Sequence, residues 1–270
     1  MDSLGPGRVY AGTTTGWGVR FTIGLVPVYK YLETLGVDVM VYSPTTTTLM
    51  DDPAFYFDER NPGDYAVFGI RYMILPAWMQ AQVPAVHVAT QGRFTLWKVD
   101  GTGYARVVDT VGTVTENRAD VGQTADPFLD SLAPAVADYL TVGFEGSPAP
   151  SPTAPDGPIS GPAGTIVSES DGLASGQYRL RVHMDRRAVV VLSTTFDPGW
   201  QARVDGRRVT TEMIDPALVG VVVGSGDHTV TFAYVGYSDY SLLFVISLAV
   251  PTVAACCLFV RRRRIRTRAR

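Results

Sequence analysis

QYRLRVHMDRRAVVVLSTTFDPGWQARVDGRRVTTE, residues Gln177 to Glu212, opens with an alternation that only an extended chain explains. Tyr178, Leu180, Val182 and Met184 share one face and Arg179, Arg181, His183 and Asp185 the other, the period of a half-buried strand. AVVVLST follows without a polar face, which predicts a strand buried on both sides. Asp197, Pro198 and Gly199 form a turn, after which Trp200, Ala202 and Val204 face inward against Gln201 and Arg203. Asp205-Gly206 suits a two-residue hairpin returning through RRVTTE, and LVGVVVG and HTVTFAY complete the set, with Val230, Phe232 and Tyr234 inward. Five or more short strands joined by tight turns predict an antiparallel β-sandwich over residues 165–237.

Downstream of these strands, Ser241 to Val260 carries no charge and runs straight into RRRRIRTRAR, Arg261 to Arg270. Twenty helical residues rise about 30 Å, the hydrocarbon thickness of a bilayer, so residues 238–260 are expected to span a membrane as a helix. Pro251 would kink that helix, Ser238 and Asp239 can cap its start, and Tyr237 and Tyr240 suit an interfacial aromatic belt. Basic flanks stay cytoplasmic, which puts the tail 261–270 inside and everything before Tyr240 outside. The chain has 23 Lys+Arg against 26 Asp+Glu, and without the seven tail arginines 16 remain against 26. An acidic ectodomain with dispersed arginines is a poor nucleic-acid partner, while the tail beside a span fits the anionic lipid bilayer.

Residues Met1 to Gly16 hold no apolar run of the kind a secretory signal needs. The expectation is that the chain is the C-terminal portion of a larger polytopic membrane protein, or works beside one. Both cysteines, Cys256 and Cys257, fall in the span, so no disulfide is expected outside it, and small apolar packing residues are their plain reading.

Upstream of the strands, GSPAPSPTAPDGPISGPAG at 146–164 has nothing with which to build a core and predicts a linker. Residues 1–145 then form a mixed α/β region. There, PVYKYLETL closed by Gly36 precedes VDVMVYS, and Gly63 to Phe68 closed by Gly69 precedes IRYMILP, two helix-then-strand units. SPTTTTLMDD, Ser43 to Asp52, and FDERNPG are loop material, while VHVA, RFTLWKV and YARVV predict strands. Asp126 to Tyr139 predicts a helix with Phe128, Leu129, Leu132, Val136 and Tyr139 on one face. The fold class is α+β: a mixed α/β region, an antiparallel sandwich and one C-terminal transmembrane helix.

Catalytic signatures are scarce. No GxSxG, phosphate loop or dinucleotide fingerprint occurs. His87, His183 and His228 fall on separate predicted strands without metal-ligand spacing, so neither a metal nor another cofactor is expected. Asp51, Asp52, Asp58 and Glu59 lie in polar loops, where a solvated face competes with a calcium or acid/base site; Asp51 and Asp52 are the ligand-binding candidates. Trp200 is the third, because tryptophan on a sandwich can stack on a sugar, although its inward neighbours Ala202 and Val204 favour core packing.

FDPGWQARVDGRRV, Phe196 to Val209, and ALVGVVVGSGDHTVTFAYVG, Ala217 to Gly236, ahead of a spanning helix, resemble the C-terminal part of the bacterial YfhO-type membrane protein family. GRVYAG, Gly7 to Gly12, and FGIRYMILP, Phe68 to Pro76, resemble the extracytoplasmic region of the same or related envelope proteins. The resemblance implies a glycosyltransferase-like parent with many spanning helices, acting outside the cytoplasm on envelope polymers. Catalytic carboxylates in such proteins lie on early loops that this chain lacks, so none carries over, and Pro198, Gly199, Trp200, Asp205, Gly206 and His228 read as fold markers. The function implied is a membrane-anchored extracytoplasmic module, not catalytic alone, that positions envelope glycan or a polytopic membrane partner. The alternatives are a single-pass surface binding protein unrelated to sugar transfer and an independent enzyme using the acidic loops.

Overall fold

Alternation becomes strand wherever a partner is available. The computed structural model describes the chain except residues 1–4, 42–47, 102, 148, 155–160, 171, 237–238 and 269–270, and the side chains of 256–268. The strands are β1 (Arg8–Tyr10), β2 (Thr22–Ile23), β3 (Val26–Pro27), β4 (Ile70–Pro76), β5 (Ala85–Gln91), β6 (Phe94–Val99), β7 (Ala105–Glu116) and β8 (Asp138–Phe144). They continue with β9 (Gly164–Glu169), β10 (Gln177–Met184), β11 (Ala188–Thr195), β12 (Trp200–Val204), β13 (Arg207–Val209), β14 (Glu212–Ile214), β15 (Leu218–Val223) and β16 (Gly226–Tyr234). The helices are α1 (Val28–Thr34), α2 (Asp51–Ala54), α3 (Pro62–Val67), α4 (Val121–Leu129), α5 (Ala133–Val136) and α6 (Tyr240–Arg268). The architecture is α+β and mostly strand.

The alternating run behaves as predicted. β13-β12-β16-β10-β9 form one antiparallel sheet, with Tyr178, Leu180, Val182 and Met184 buried and Arg179, Arg181 and His183 exposed. Asp205 and Gly206 both take positive φ, 49° and 79°, the geometry that two-residue hairpins favour. Ala188 to Leu192 are buried on both faces of β11. Val190 and Leu192 join the core beneath the five-stranded sheet, while Val189 and Val191 join a core shared with Tyr10, Ile70 and Met73.

The expected self-contained sandwich is replaced by a different partition. β11, β14 and β15 leave the sheet and close a barrel, in the order β11-β15-β14-β8-β7, with two strands from upstream of the proline-rich stretch. Val189 pairs with Val108 and Ile214 with Thr141, so 146–164 lies within one folding unit, and residues 1–234 cluster as such. The cause is β11: a strand apolar on both faces buries both only if another layer covers its second side. Inside the barrel Gly220 has no room for a side chain, since a Cβ there would meet Ile214 Cγ1 at 2.5 Å and Val189 Cγ1 at 2.8 Å. Gly220→Ala is therefore expected to cost about 1–3 kcal/mol by overpacking, measured by urea unfolding.

The N-terminal region forms a four-stranded mixed sheet, β1-β4-β6-β5, with β1 and β4 parallel. Both helix-then-strand units begin as predicted, and Gly36 and Gly69 take left-handed φ of 75° and 65°. VDVMVYS contributes only a bridge between Val9 and Val39, because β1 is three residues long; Tyr42 and Ser43, like the loop predicted over Ser43 to Thr47, lie outside the described residues. The helix expected over Asp126–Tyr139 is corrected. α4 starts earlier, where the Asp120 side chain accepts the Gln123 N–H at 3.1 Å, and α5 is one turn ended by Ala137 at φ 64°. Tyr139 is on β8, whose parallel pairing with β7 outweighs the local helical pattern. β7, α4, α5 and β8 thus make one crossover unit.

Residues 235–270 form a second unit containing α6. Leu242, Leu243, Phe244, Val245, Ile246, Leu248, Val250 and Val253 are exposed on it, while Ser247 and Thr252 bond back to the Phe244 and Leu248 carbonyls at 2.8 and 2.7 Å. Among the described residues no helix is long and apolar enough to cross a membrane. The side chains of Cys256 to Val260, the end of the predicted span, and of the tail arginines through Arg268 lie outside the described residues, as do Arg270, Tyr237 and Ser238.

Candidate functional site

A cavity of about 510 Å³ opens beside the N-terminal sheet, lined by Trp17, Arg20, Phe21, Pro76, Trp78 and Arg93. A loop that closes on itself builds its inner wall. A Cβ on Gly12 would lie 2.4 Å from Gly18 Cα, and one on Gly18 would lie 2.5 Å from the Thr13 carbonyl oxygen. Only glycine at both positions permits that approach, which turns Trp17 into the cavity. The Trp17 indole is then fixed chemically. Its Nε1 donates to Glu59 Oε2 at 2.9 Å, Tyr10 donates to the same oxygen at 2.9 Å, and Gln82 Nε2 donates to Glu59 Oε1 at 3.1 Å.

Phe21 is buried and packs between Trp17 and Phe94, with ring centroids at 5.8 and 5.3 Å. Trp78 stands on the turn after β4, where the Met79 N–H donates to the Pro76 carbonyl at 2.8 Å, and is 76 % exposed. Arg93 lies over the Phe94 ring at 5.2 Å and donates to the Thr22 carbonyl. Arg20 is exposed on the same rim. Beyond it, the β2–β3 hairpin presents Ile23, Val26 and, at its tip, Leu25, 98 % exposed. The result is one fixed and one projecting indole over an apolar floor, with two guanidinium groups at the edge. Aromatic faces take the C–H face of a sugar ring, and guanidinium groups donate to hydroxyls or acids.

A larger cleft of about 750 Å³, including Arg8, Asp38, Tyr72 and Tyr104, is less suited, because its polar groups are already committed to one another. Arg8 Nε donates to Asp38 Oδ1 at 3.1 Å and the Tyr104 hydroxyl to Asp38 Oδ2 at 2.7 Å.

The residues singled out in the sequence are not brought together. Trp200 is 8 % exposed in the core beneath the five-stranded sheet, its Nε1 donating to the Thr195 carbonyl at 3.2 Å and its ring 5.3 Å from Tyr234. Asp51 and Asp52 open α2. Asp51 Oδ2 accepts the Thr48 N–H at 2.8 Å, and the Asp52 backbone is packed so closely that a Cβ on Gly122 would meet it at 2.8 Å. Asp58 accepts the Arg60 N–H at 2.9 Å, and Glu59, expected to be solvated, is the anchor for Trp17.

His87 contacts Thr90 Oγ1 at 2.8 Å. His183 pairs with Asp227 and His228 with Asp205, each at 2.7 Å, and these hydrogen bonds raise both imidazole pKa values. Among the described residues no three His, Cys, Asp or Glu side chains converge as a metal site.

One acidic pair escaped the sequence reading. Glu116, ending β7, and Asp215, following β14, are 2 % and 1 % exposed. Burial pushes Glu116 up to about 9 and Asp215 up to about 8, and the Asp215 charge raises Glu116 further. Among the described residues no group outside the pair reaches either Glu116 oxygen or Asp215 Oδ1, and the two carboxyls bond to one another. A proton kept on one carboxyl is the donor that satisfies the other.

The sheet and barrel strands from β10 onward, with the start of α6, define a class: residues 169–247 match the family model of the bacterial membrane protein YfhO. The C-terminal strands are thus a YfhO-type region. The matched segment supplies three barrel strands; the other two, β7 and β8, precede it. Neither curated proteins nor solved structures return a match.

Proposed function

We propose that this chain is a membrane-anchored extracytoplasmic module of a YfhO-like, glycosyltransferase-like assembly, and that it holds a segment of envelope glycan in the Trp17–Trp78 cavity. The observation that carries this reading is the cavity itself, two indoles and two guanidinium groups around an apolar floor. The family match supports the membrane setting. Anchorage by α6 is supported by the uncharged run Ser241 to Val260, by apolar side chains exposed around the helix, and by polar ones bonded within it. The arginine tail then lies in the cytoplasm. In this reading the chain positions glycan and transfers no sugar itself.

Calorimetry of the full chain in nanodiscs against purified envelope glycans tests the proposal. Trp78 makes no packing contribution comparable to Trp17, so Trp78→Ala is the clean variant. It is expected to weaken binding roughly 3- to 10-fold with an unchanged melting temperature. Absence of binding, or an unaffected variant, removes the glycan reading. The apolar hairpin Ile23, Leu25 and Val26 favours a second reading, in which a polytopic protein partner occupies the rim. Cross-linking from Leu25→Cys to a membrane protein distinguishes the two.

A further inference from the structure

Arginines scattered through the sequence converge on the outer face of the five-stranded sheet. The register aligns Arg179 with Thr231, Thr231 with Arg203, and Arg203 with Arg208, so three guanidinium groups occupy one row across four strands. At about 4.8 Å per strand the row is roughly 14 Å long. Arg181 sits two residues along β10 on the same face, about 7 Å away, opposite Thr229 and Ser168. All four arginines are exposed. Arg203 donates to the Gly206 carbonyl at 2.9 Å, and no ion pair to a carboxylate forms at any of the four among the described residues.

The acids nearest this face are already taken. Asp227 and Asp185 lie by His183, at 2.7 and 3.8 Å, and Asp205 accepts from His228 and from the Thr229 N–H. Four of the 16 cations that precede the tail therefore stand together, in a stretch of chain where acids outnumber bases. Their neighbours in the register are Gln177, Gln201, Thr229, Thr231 and Ala233, so the face around them is largely polar, with the exposed Val167 on the adjoining edge strand β9.

We propose that this face docks on an anionic bilayer surface, its four arginines meeting headgroup phosphates. A two-dimensional array of cations on a plane complements a plane of phosphates, whereas a linear polyanion calls for a track or a groove. Each arginine near such a surface contributes about a fivefold gain in affinity, lost as salt shortens the screening length.

The test uses the full chain held in zwitterionic nanodiscs and sedimented with phosphatidylglycerol or phosphatidylcholine vesicles. Binding is expected to phosphatidylglycerol alone and to weaken with salt. Arg179→Gln/Arg181→Gln should lose about 25-fold, and Arg179→Lys/Arg181→Lys should retain most of the affinity. Because the tail arginines are identical in every variant, unchanged binding by the glutamine pair would assign adhesion to the tail and overturn the proposal. Equal binding to phosphatidylcholine overturns it, as does equal loss in the lysine pair. Calorimetry showing tighter capture of soluble inorganic polyphosphate through the same arginines would replace the bilayer with a free polyanion, which also overturns it. Melting temperatures within about 1 °C of the parent, as surface substitutions give, show that the fold survives.

Discussion

Trp200→Ala is expected to destabilise the residue 1–234 unit by about 3–5 kcal/mol while leaving glycan affinity at the Trp17–Trp78 cavity unchanged. The indole is 8 % exposed, packs with Ala202, Val204 and Phe232 beneath the five-stranded sheet, and spends its N–H on the Thr195 carbonyl. Truncation removes the buried ring, opens a cavity between two layers that cannot close fully, and leaves that carbonyl short of a donor. Urea unfolding gives the loss in stability, and calorimetry on the folded variant gives the affinity. A stable variant that has lost glycan would restore Trp200 as a binding residue, and the cavity would lose its claim.

The second large effect is on pH. Glu116 and Asp215 keep their protons in the folded chain to about 9 and about 8, because burial disfavours their charged forms, whereas an unfolded chain releases them near 4. Between those values the folded state binds more protons, so stability falls as pH rises from about 4 toward 8. The stabilising contribution is complete below the unfolded pKa and is lost as pH climbs through the folded one. Asp64, raised to about 7 by burial, acts in the same sense, as do the aspartate-paired histidines.

Glu116→Gln removes one such proton from the balance while keeping shape and a donor. It should flatten the decline and raise the melting temperature near pH 8 by at least about 2 °C, with little change near pH 5. Thermal melts of both proteins across that range measure it. A parent more stable at pH 8 than at pH 5, with the glutamine variant parallel to it, would mean that these carboxyls are charged in the folded state.

How far the sequence reaches depends on whether a feature is local. β10, β12 and β16 are legible because their two-residue period is set by their own inward and outward faces, and the Asp205-Gly206 hairpin because its φ angles demand those residues. β8 is not, because Asp138 to Phe144 becomes a strand only when β7 lies beside it. The barrel was hidden for the same reason: nothing in Val107 or Val108 announces β11 as their partner.

The cavity was hidden differently. Nothing in the sequence of GTTTGWG marks a site, and only the close approach of Gly12 to Gly18 reveals that the segment aims an indole. Glu59 looked like one more loop acid until Tyr10, Trp17 and Gln82 met on it. Arg179, Arg181, Arg203 and Arg208 appeared dispersed, and strand register alone puts them in a cluster.

Strand β7 has a further bearing on how the molecule is made. Its neighbours are β8, soon after it, and β11, which leaves the ribosome only once the whole proline-rich stretch has emerged. Until Ala188 to Thr195 arrives, one edge of the nascent barrel is unpaired and sticky, and that long wait for a distant partner slows maturation. A nick anywhere in 146–164 of the finished protein would leave its two pieces stitched edge to edge, inseparable without denaturant.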